Sequence, residues 1–108
     1  MSDVLKDLYQ VIASRRENPQ EGSYTNYLLD KGLDKILKKV GEESAEAIIA
    51  AKNGDPEQVV NETADVLYHM LVMLSALEIP WDAVADELDA RSQKIGNLKV
   101  MRETDKNT

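Results

Sequence analysis

The chain has no cysteine, no phenylalanine and a single histidine in 108 residues. Without cysteine there is neither a disulfide framework nor a thiolate metal site, and one imidazole cannot supply a zinc site built mainly from histidine. That composition fits a reducing compartment, and a cytoplasmic location is expected. With no Phe and aromatics at 5%, a core has to be built from Leu, Val, Ile, Ala and Met. Three prolines and five glycines leave few breaks, which favours a few long helices over many short strands. No apolar run is long enough to span a membrane, and no basic–apolar–cleavable leader is visible. Cations are scarce: 13 Lys and Arg face 20 Asp and Glu, for a net charge of −7. Nucleic acid is therefore a disfavoured partner, because its phosphate backbone binds clustered Lys and Arg. An acidic chain can still bind a polyphosphate where a metal bridges the two.

The length allows one domain. Val4, Leu5, Leu8, Val11 and Ile12 follow helical spacing and predict a first helix over residues 3–15. Residues 17–23 read as a loop, Ser23 or Thr25 as the cap of a short helix reaching Lys31, and Gly32 as its stop. Ile36, Leu37, Val40, Ser44, Ala47, Ile48 and Ala51 trace one stripe of a helix ending near Asn53-Gly54. Asp55-Pro56 is a strong new start, Asp as cap and Pro at the first helical position. That helix runs to about Leu77, and its second half is apolar nearly all round, so it must be buried in its own fold or against a partner. Ile79-Pro80-Trp81-Asp82 opens a last helix to about Lys94, with Val84, Leu88 and Ile95 inward and Trp81 as a core anchor. Residues 104–108 read as a polar tail. The predicted class is all-α: four to five helices with an antiparallel central pair, dimerising through residues 66–77.

Against this background two acidic pairs stand out. Glu43-Ser44-Ala45-Glu46 and Glu62-Thr63-Ala64-Asp65 each place two carboxylates at i,i+3, about 5–6 Å apart on one helix face. Glu42 adds another acid one turn before Glu46. Spacing puts these acids opposite the Leu33–Val40–Ala51 stripe, and Glu62, Asp65 and His69 away from Val59, Val66 and Met70. Because the connection at residues 53–56 is short, the two helices should pack antiparallel, with Glu46 and Glu62 at similar heights, so that the two acidic faces can meet across the pair. Crowded carboxylates repel unless a cation sits between them, and hard oxygen ligands suit Mg²⁺ or Mn²⁺. Two solvated helix faces would be the plain alternative.

Other polar residues have two readings each. His69 either orients the Asp65 carboxylate or is satisfied by a neighbouring helix. Lys38 and Lys39 either contact phosphate or pair with glutamates one turn on. Arg91, Lys94, Lys99 and Arg102 either face a polyphosphate or compensate the acidic helices.

Glu42-Glu43-x-x-Glu46 with Glu62-x-x-Asp65 resembles the signature of the all-α, MazG-type nucleoside triphosphate pyrophosphatases. Ser23-Tyr24-Thr25, Lys39-Val40-Gly41-Glu42-Glu43, Ala50-Ala51-Lys52 and Ala64-Asp65-Val66-Leu67-Tyr68-His69 sharpen this to a likeness with the phosphoribosyl-ATP pyrophosphatases of histidine biosynthesis. The likeness extends over residues 5–102 and implies a dimerising helical bundle. It also implies hydrolysis of phosphoribosyl-ATP to phosphoribosyl-AMP and pyrophosphate. Mg²⁺, or Mn²⁺, would be held by Glu43, Glu46, Glu62 and Asp65, with Glu42 or Glu46 as base and Lys39, Arg91 and Lys94 on the substrate. Some relatives carry a fused zinc-dependent cyclohydrolase; with no Cys and one His, this chain is expected to leave that activity to another. A broad-specificity nucleotide pyrophosphatase and a non-catalytic acidic helical module are the rival functions.

Overall fold

A computed structural model describes residues 3–94, 99 and 101–107. The described residues form five helices and a short 3₁₀ turn, with no strand among them. They are α1 (Val4–Glu17), α2 (Tyr24–Lys31), α3 (Leu33–Lys52), α4 (Pro56–Ala76) and α5 (Trp81–Ser92), followed by the 3₁₀ turn Glu103–Asn107. The all-helical class predicted from sequence is the class observed. No helix among the described residues is long and apolar enough to cross a membrane.

Local chemistry sets the helix ends. The Ser23 hydroxyl accepts the backbone N–H of Asn26 at 3.2 Å and starts α2. Gly32, at φ 96°, ends α2 and starts α3 in one residue, a backbone turn in which a side chain would be strained. Asp55 accepts from the Gln58 N–H at 3.2 Å, with Pro56 opening α4. Loop 17–23 is tied down by buried Asn26, whose side-chain amide donates to the Arg15 carbonyl at 2.8 Å and accepts from the Gln20 N–H at 2.9 Å.

The core is Ile12, Leu28, Ile36, Leu71 and Val72, one or two from each of α1 to α4, with Trp81 packed against it. The end of α4 is clasped from α1: Arg16 donates to the Ser75 carbonyl and, at 3.1 Å, to the Glu78 carboxylate, while the Tyr9 hydroxyl donates to the Ile79 carbonyl at 2.7 Å. The largest contact in the chain is between α3 and α4.

Along that contact the faces differ from those predicted. On α3 the inward side is Ile36, Val40, Glu43, Ala47 and Ala50, whereas Leu33, Leu37, Ile48 and Ala51 are exposed. On α4 the inward side is Val59, Glu62, Val66 and His69, whereas Met70 is 40% exposed. Both inward stripes step by three and four residues, the repeat by which two helices keep one seam in contact. The expected stripe was rotated because α3 and α4 each carry two apolar faces, and periodicity alone does not say which meets the sister helix. Leu88 is also exposed (52%), since among the described residues α5 packs chiefly against α1. Ile95 lies outside the described residues.

Candidate active site

The seam between α3 and α4 brings acids inside. Glu43 occupies a core position of the α3 stripe and is 7% exposed. Glu62 is half-buried on α4, and Asp65 lies one turn further on, exposed. One carboxylate oxygen from each of Glu43, Glu62 and Asp65 falls within 4.8 Å of the others. Glu43 Oε2 and Glu62 Oε2 are both buried with no hydrogen-bond partner. A buried polar atom left without a partner costs roughly 1–3 kcal/mol, more when charged, so two in one seam call for a ligand.

The electrostatics agree. Burial pushes the Glu43 carboxyl up, but a hydrogen bond from Lys39 and contact with Glu46 outweigh it and hold the group below the ordinary range. Lys39 Nζ lies 3.2 Å from Glu43 and 3.9 Å from Glu42. Glu62 has no such cation among the described residues. Its burial, followed by the neighbouring Glu46 and Glu43 carboxylates, pushes it up to about 7. Glu46 is thus the fourth acid at the seam, exposed and against both Glu43 and Glu62. Beyond it, toward the turn at residues 53–55, a cavity of about 290 Å³ is lined by Glu46, Ala50, Asn53, Asp55, Gln58 and Glu62.

These residues fit a hard divalent cation. An octahedral Mg²⁺ with bonds of about 2.1 Å holds its oxygens about 3–4 Å apart, a small closure from the spacing seen. All the donors are carboxylate oxygens, and the one imidazole is engaged elsewhere. His69 is buried, its Nδ1 2.7 Å from the Asp65 main-chain carbonyl and its Nε2 3.0 Å from the Tyr24 hydroxyl. Since a carbonyl only accepts, Nδ1 carries a proton, and in the neutral imidazole Nε2 accepts from the Tyr24 hydroxyl. Of the two readings of His69, the neighbouring helix is the one observed; the Asp65 carboxylate is not its partner.

Other predicted residues are placed less centrally. Glu42 is exposed on the Lys39 side. Arg91 pairs with Glu87 on its own helix at 3.0 Å, and Lys94 lies just beyond the end of α5. Within the single chain neither forms an ion pair with the acidic seam. Lys99 and Arg102 lie 3.9 and 3.6 Å from Asp105.

Sequence reasoning missed a column of rings beside the seam. Three of the four tyrosines stack in it: Tyr27 on Tyr24 at 6.0 Å between centroids, and Tyr24 on Tyr68 at 6.2 Å, with His69 edge-on to both Tyr24 and Tyr68. The available signal was Tyr24 and Tyr27 at i,i+3 on one short helix.

A pH signature follows for the metal-free protein. A carboxyl raised on folding stabilises the fold fully below its ordinary value of 4.5, and that contribution is lost as pH rises through about 7. Glu43, lowered on folding, acts in the opposite sense: its contribution is present above the ordinary value and lost as pH falls. In a chelator, the urea midpoint should therefore be higher at pH 5.5 than at pH 8. Glu62→Gln should flatten that alkaline limb; an unchanged slope in the variant would show that another group causes it.

The fold and seam define a class: all-helical proteins that gather carboxylates from two long paired helices into a cation-ready site. The model of the phosphoribosyl-ATP pyrophosphohydrolase family matches residues 5–92, and the chain belongs to that family. It is 50% identical over 100 residues to the phosphoribosyl-ATP pyrophosphatase of Clostridium novyi, covering 93% of this chain and 91% of the relative. To the proteins of that name from Clostridium acetobutylicum and Streptococcus thermophilus it is 52% and 53% identical, covering 94% and 93% of this chain and 92% and 96% of those relatives.

Proposed function

We propose that this chain hydrolyses phosphoribosyl-ATP to phosphoribosyl-AMP and pyrophosphate, the second step of histidine biosynthesis, in the cytoplasm and with Mg²⁺ as cofactor. Mn²⁺ would serve the same ligands. The observation that carries the reading is the pair of buried, unpartnered carboxylate oxygens on Glu43 and Glu62. Family membership supplies the reaction. Glu43, Glu46, Glu62 and Asp65 would hold the ion. When bound, it neutralises the triphosphate and lowers the pKa of water.

Of the two candidate bases, Glu46 is favoured over Glu42. It is exposed, forms no ion pair among the described residues and is turned to the seam, whereas Glu42 lies beside Lys39. A carboxylate there can take the proton of the attacking water as the α–β anhydride opens. Lys39, spanning Glu42 and Glu43, sets the charge of the site. Arg91 and Lys94 are proposed to contact the substrate as well, although within the chain Arg91 is paired with Glu87.

An antiparallel α3/α4 hairpin, which the three-residue connection favours, is the frame of this reading, and a homodimer is its assembly. Cyclohydrolase activity would reside on a separate chain. Pyrophosphate release from phosphoribosyl-ATP should require Mg²⁺ and stop in excess chelator. Equal release with and without chelator, or faster turnover of common triphosphates than of phosphoribosyl-ATP, would refute it.

A further inference from the structure

The substrate proposed above carries phosphate at two ends. Its triphosphate meets the acidic seam through a cation, but the 5′-phosphate of the phosphoribosyl group on the purine has no such bridge. In a chain of net charge −7 that second phosphate needs protein cations not already claimed by carboxylates. Lys39 is claimed, by Glu43 and Glu42. Lys31 and Lys35 are not: they form no ion pair among the described residues. Both ammonium groups instead converge on one exposed ring, Lys31 Nζ 5.8 Å and Lys35 Nζ 6.0 Å from the centroid of Tyr27.

Their position relative to the seam suits a molecule with two anionic ends. Lys35 lies two turns before Glu43 on α3, roughly 12 Å along the axis at about 1.5 Å per residue. The ground between is the ring column: Tyr27, 44% exposed, stacks on Tyr24, 46% exposed, at an interplanar angle of 23°. The Tyr24 phenol, raised mainly by burial, lies within the fields of both Lys39 and Glu43. Ring faces of this kind take a purine or a sugar without hydrogen bonds. We propose that Lys31 and Lys35, flanking Tyr27, hold the 5′-phosphate of the substrate's phosphoribosyl group and so select phosphoribosyl-ATP over plain nucleoside triphosphates. The assignment rests on the function proposed above and names the part of the site that makes it specific. ATP shares the purine and triphosphate but has nothing to offer these two lysines, which is where discrimination by a missing charged group is largest.

The test compares wild type, Lys31→Gln, Lys35→Gln and the double variant in saturating Mg²⁺, all with wild-type melting temperature. For phosphoribosyl-ATP, KM should rise about tenfold per lysine removed while kcat stays within about twofold. The inhibition constant of ATP against the same substrate should not move. Lys35→Arg, which keeps the charge, should retain the wild-type KM. An unchanged KM in the double variant overturns the subsite, and so does an equal weakening of ATP, which would mark a contact shared by all triphosphates. If active wild type and double variant are indistinguishable, only the subsite falls. If wild type releases no pyrophosphate from phosphoribosyl-ATP, the function falls and takes the subsite with it.

Discussion

Replacing Glu62 with Gln should lower the rate of pyrophosphate release by more than about a hundredfold without destabilising the metal-free protein. A cation's contact with phosphate oxygens contributes several kcal/mol to the transition state, and each 1.36 kcal/mol is tenfold in rate. The apo effect has the reverse sign because Glu62 is an uncomfortable carboxylate. Burial and the neighbouring Glu46 and Glu43 push it up to about 7, with one oxygen buried and unpartnered. Gln has the same shape and no charge, and its amide can donate to the acids around it. At pH 8 in chelator the variant should melt at or above the wild-type temperature. Mg²⁺ should stabilise wild type by about 2.7 kcal/mol at a hundred times its dissociation constant, and stabilise the variant far less. Glu46→Gln should behave in the same way. A variant that melts early in chelator yet turns over normally would mark the acid as structural.

The second large effect concerns assembly. Once α3 and α4 have met along Glu43 and Glu62, α4 still presents Val60, Ala64, Leu67 and Met70 outward, all exposed, and α3 presents Leu33, Leu37 and Ile48. A helix apolar on two sides needs cover on both, and the second cover we propose is a second copy of this chain. Leu67→Asp should convert the dimer to a folded monomer. Burying one leucine is worth about 1.5–3 kcal/mol; with two copies per dimer the dissociation constant should rise at least about a hundredfold. Because Leu67 is 41% exposed in the single chain, its loss spares the chain's own core. Met73 and Leu74 are poorer probes, since both already pack against the chain's own core cluster. Light scattering showing the variant still dimeric at micromolar concentration would remove this face from the interface.

How far the sequence reached can be judged from these same residues. Helix limits were legible because their causes are local: Ser23 and Asp55 cap, Pro56 begins, and Gly32 ends one helix and begins the next. The acids were legible because i,i+3 spacing on two helices joined by a short turn leaves little freedom. The rotation of α3 was not. Leu37 and Ile48 are as apolar as Ile36 and Val40, and only the pairing with α4 decides which set turns inward. That choice put Glu43 inside, where spacing alone had placed it opposite the buried stripe. His69 was ambiguous for a related reason, since its partner Tyr24 comes from another helix. The lysines at Tyr27 belong to α2 and α3, and only the fold brings them to one ring.

The central claim is that the unpartnered oxygens of Glu43 and Glu62 exist to hold a divalent cation. Anomalous diffraction from crystals grown with Mn²⁺ tests it directly. A peak within bonding distance of the Glu43, Glu62 and Asp65 carboxylates, lost in Glu62→Gln crystals, is the predicted result. A manganese-active enzyme whose crystals show no anomalous density at those three carboxylates would contradict it.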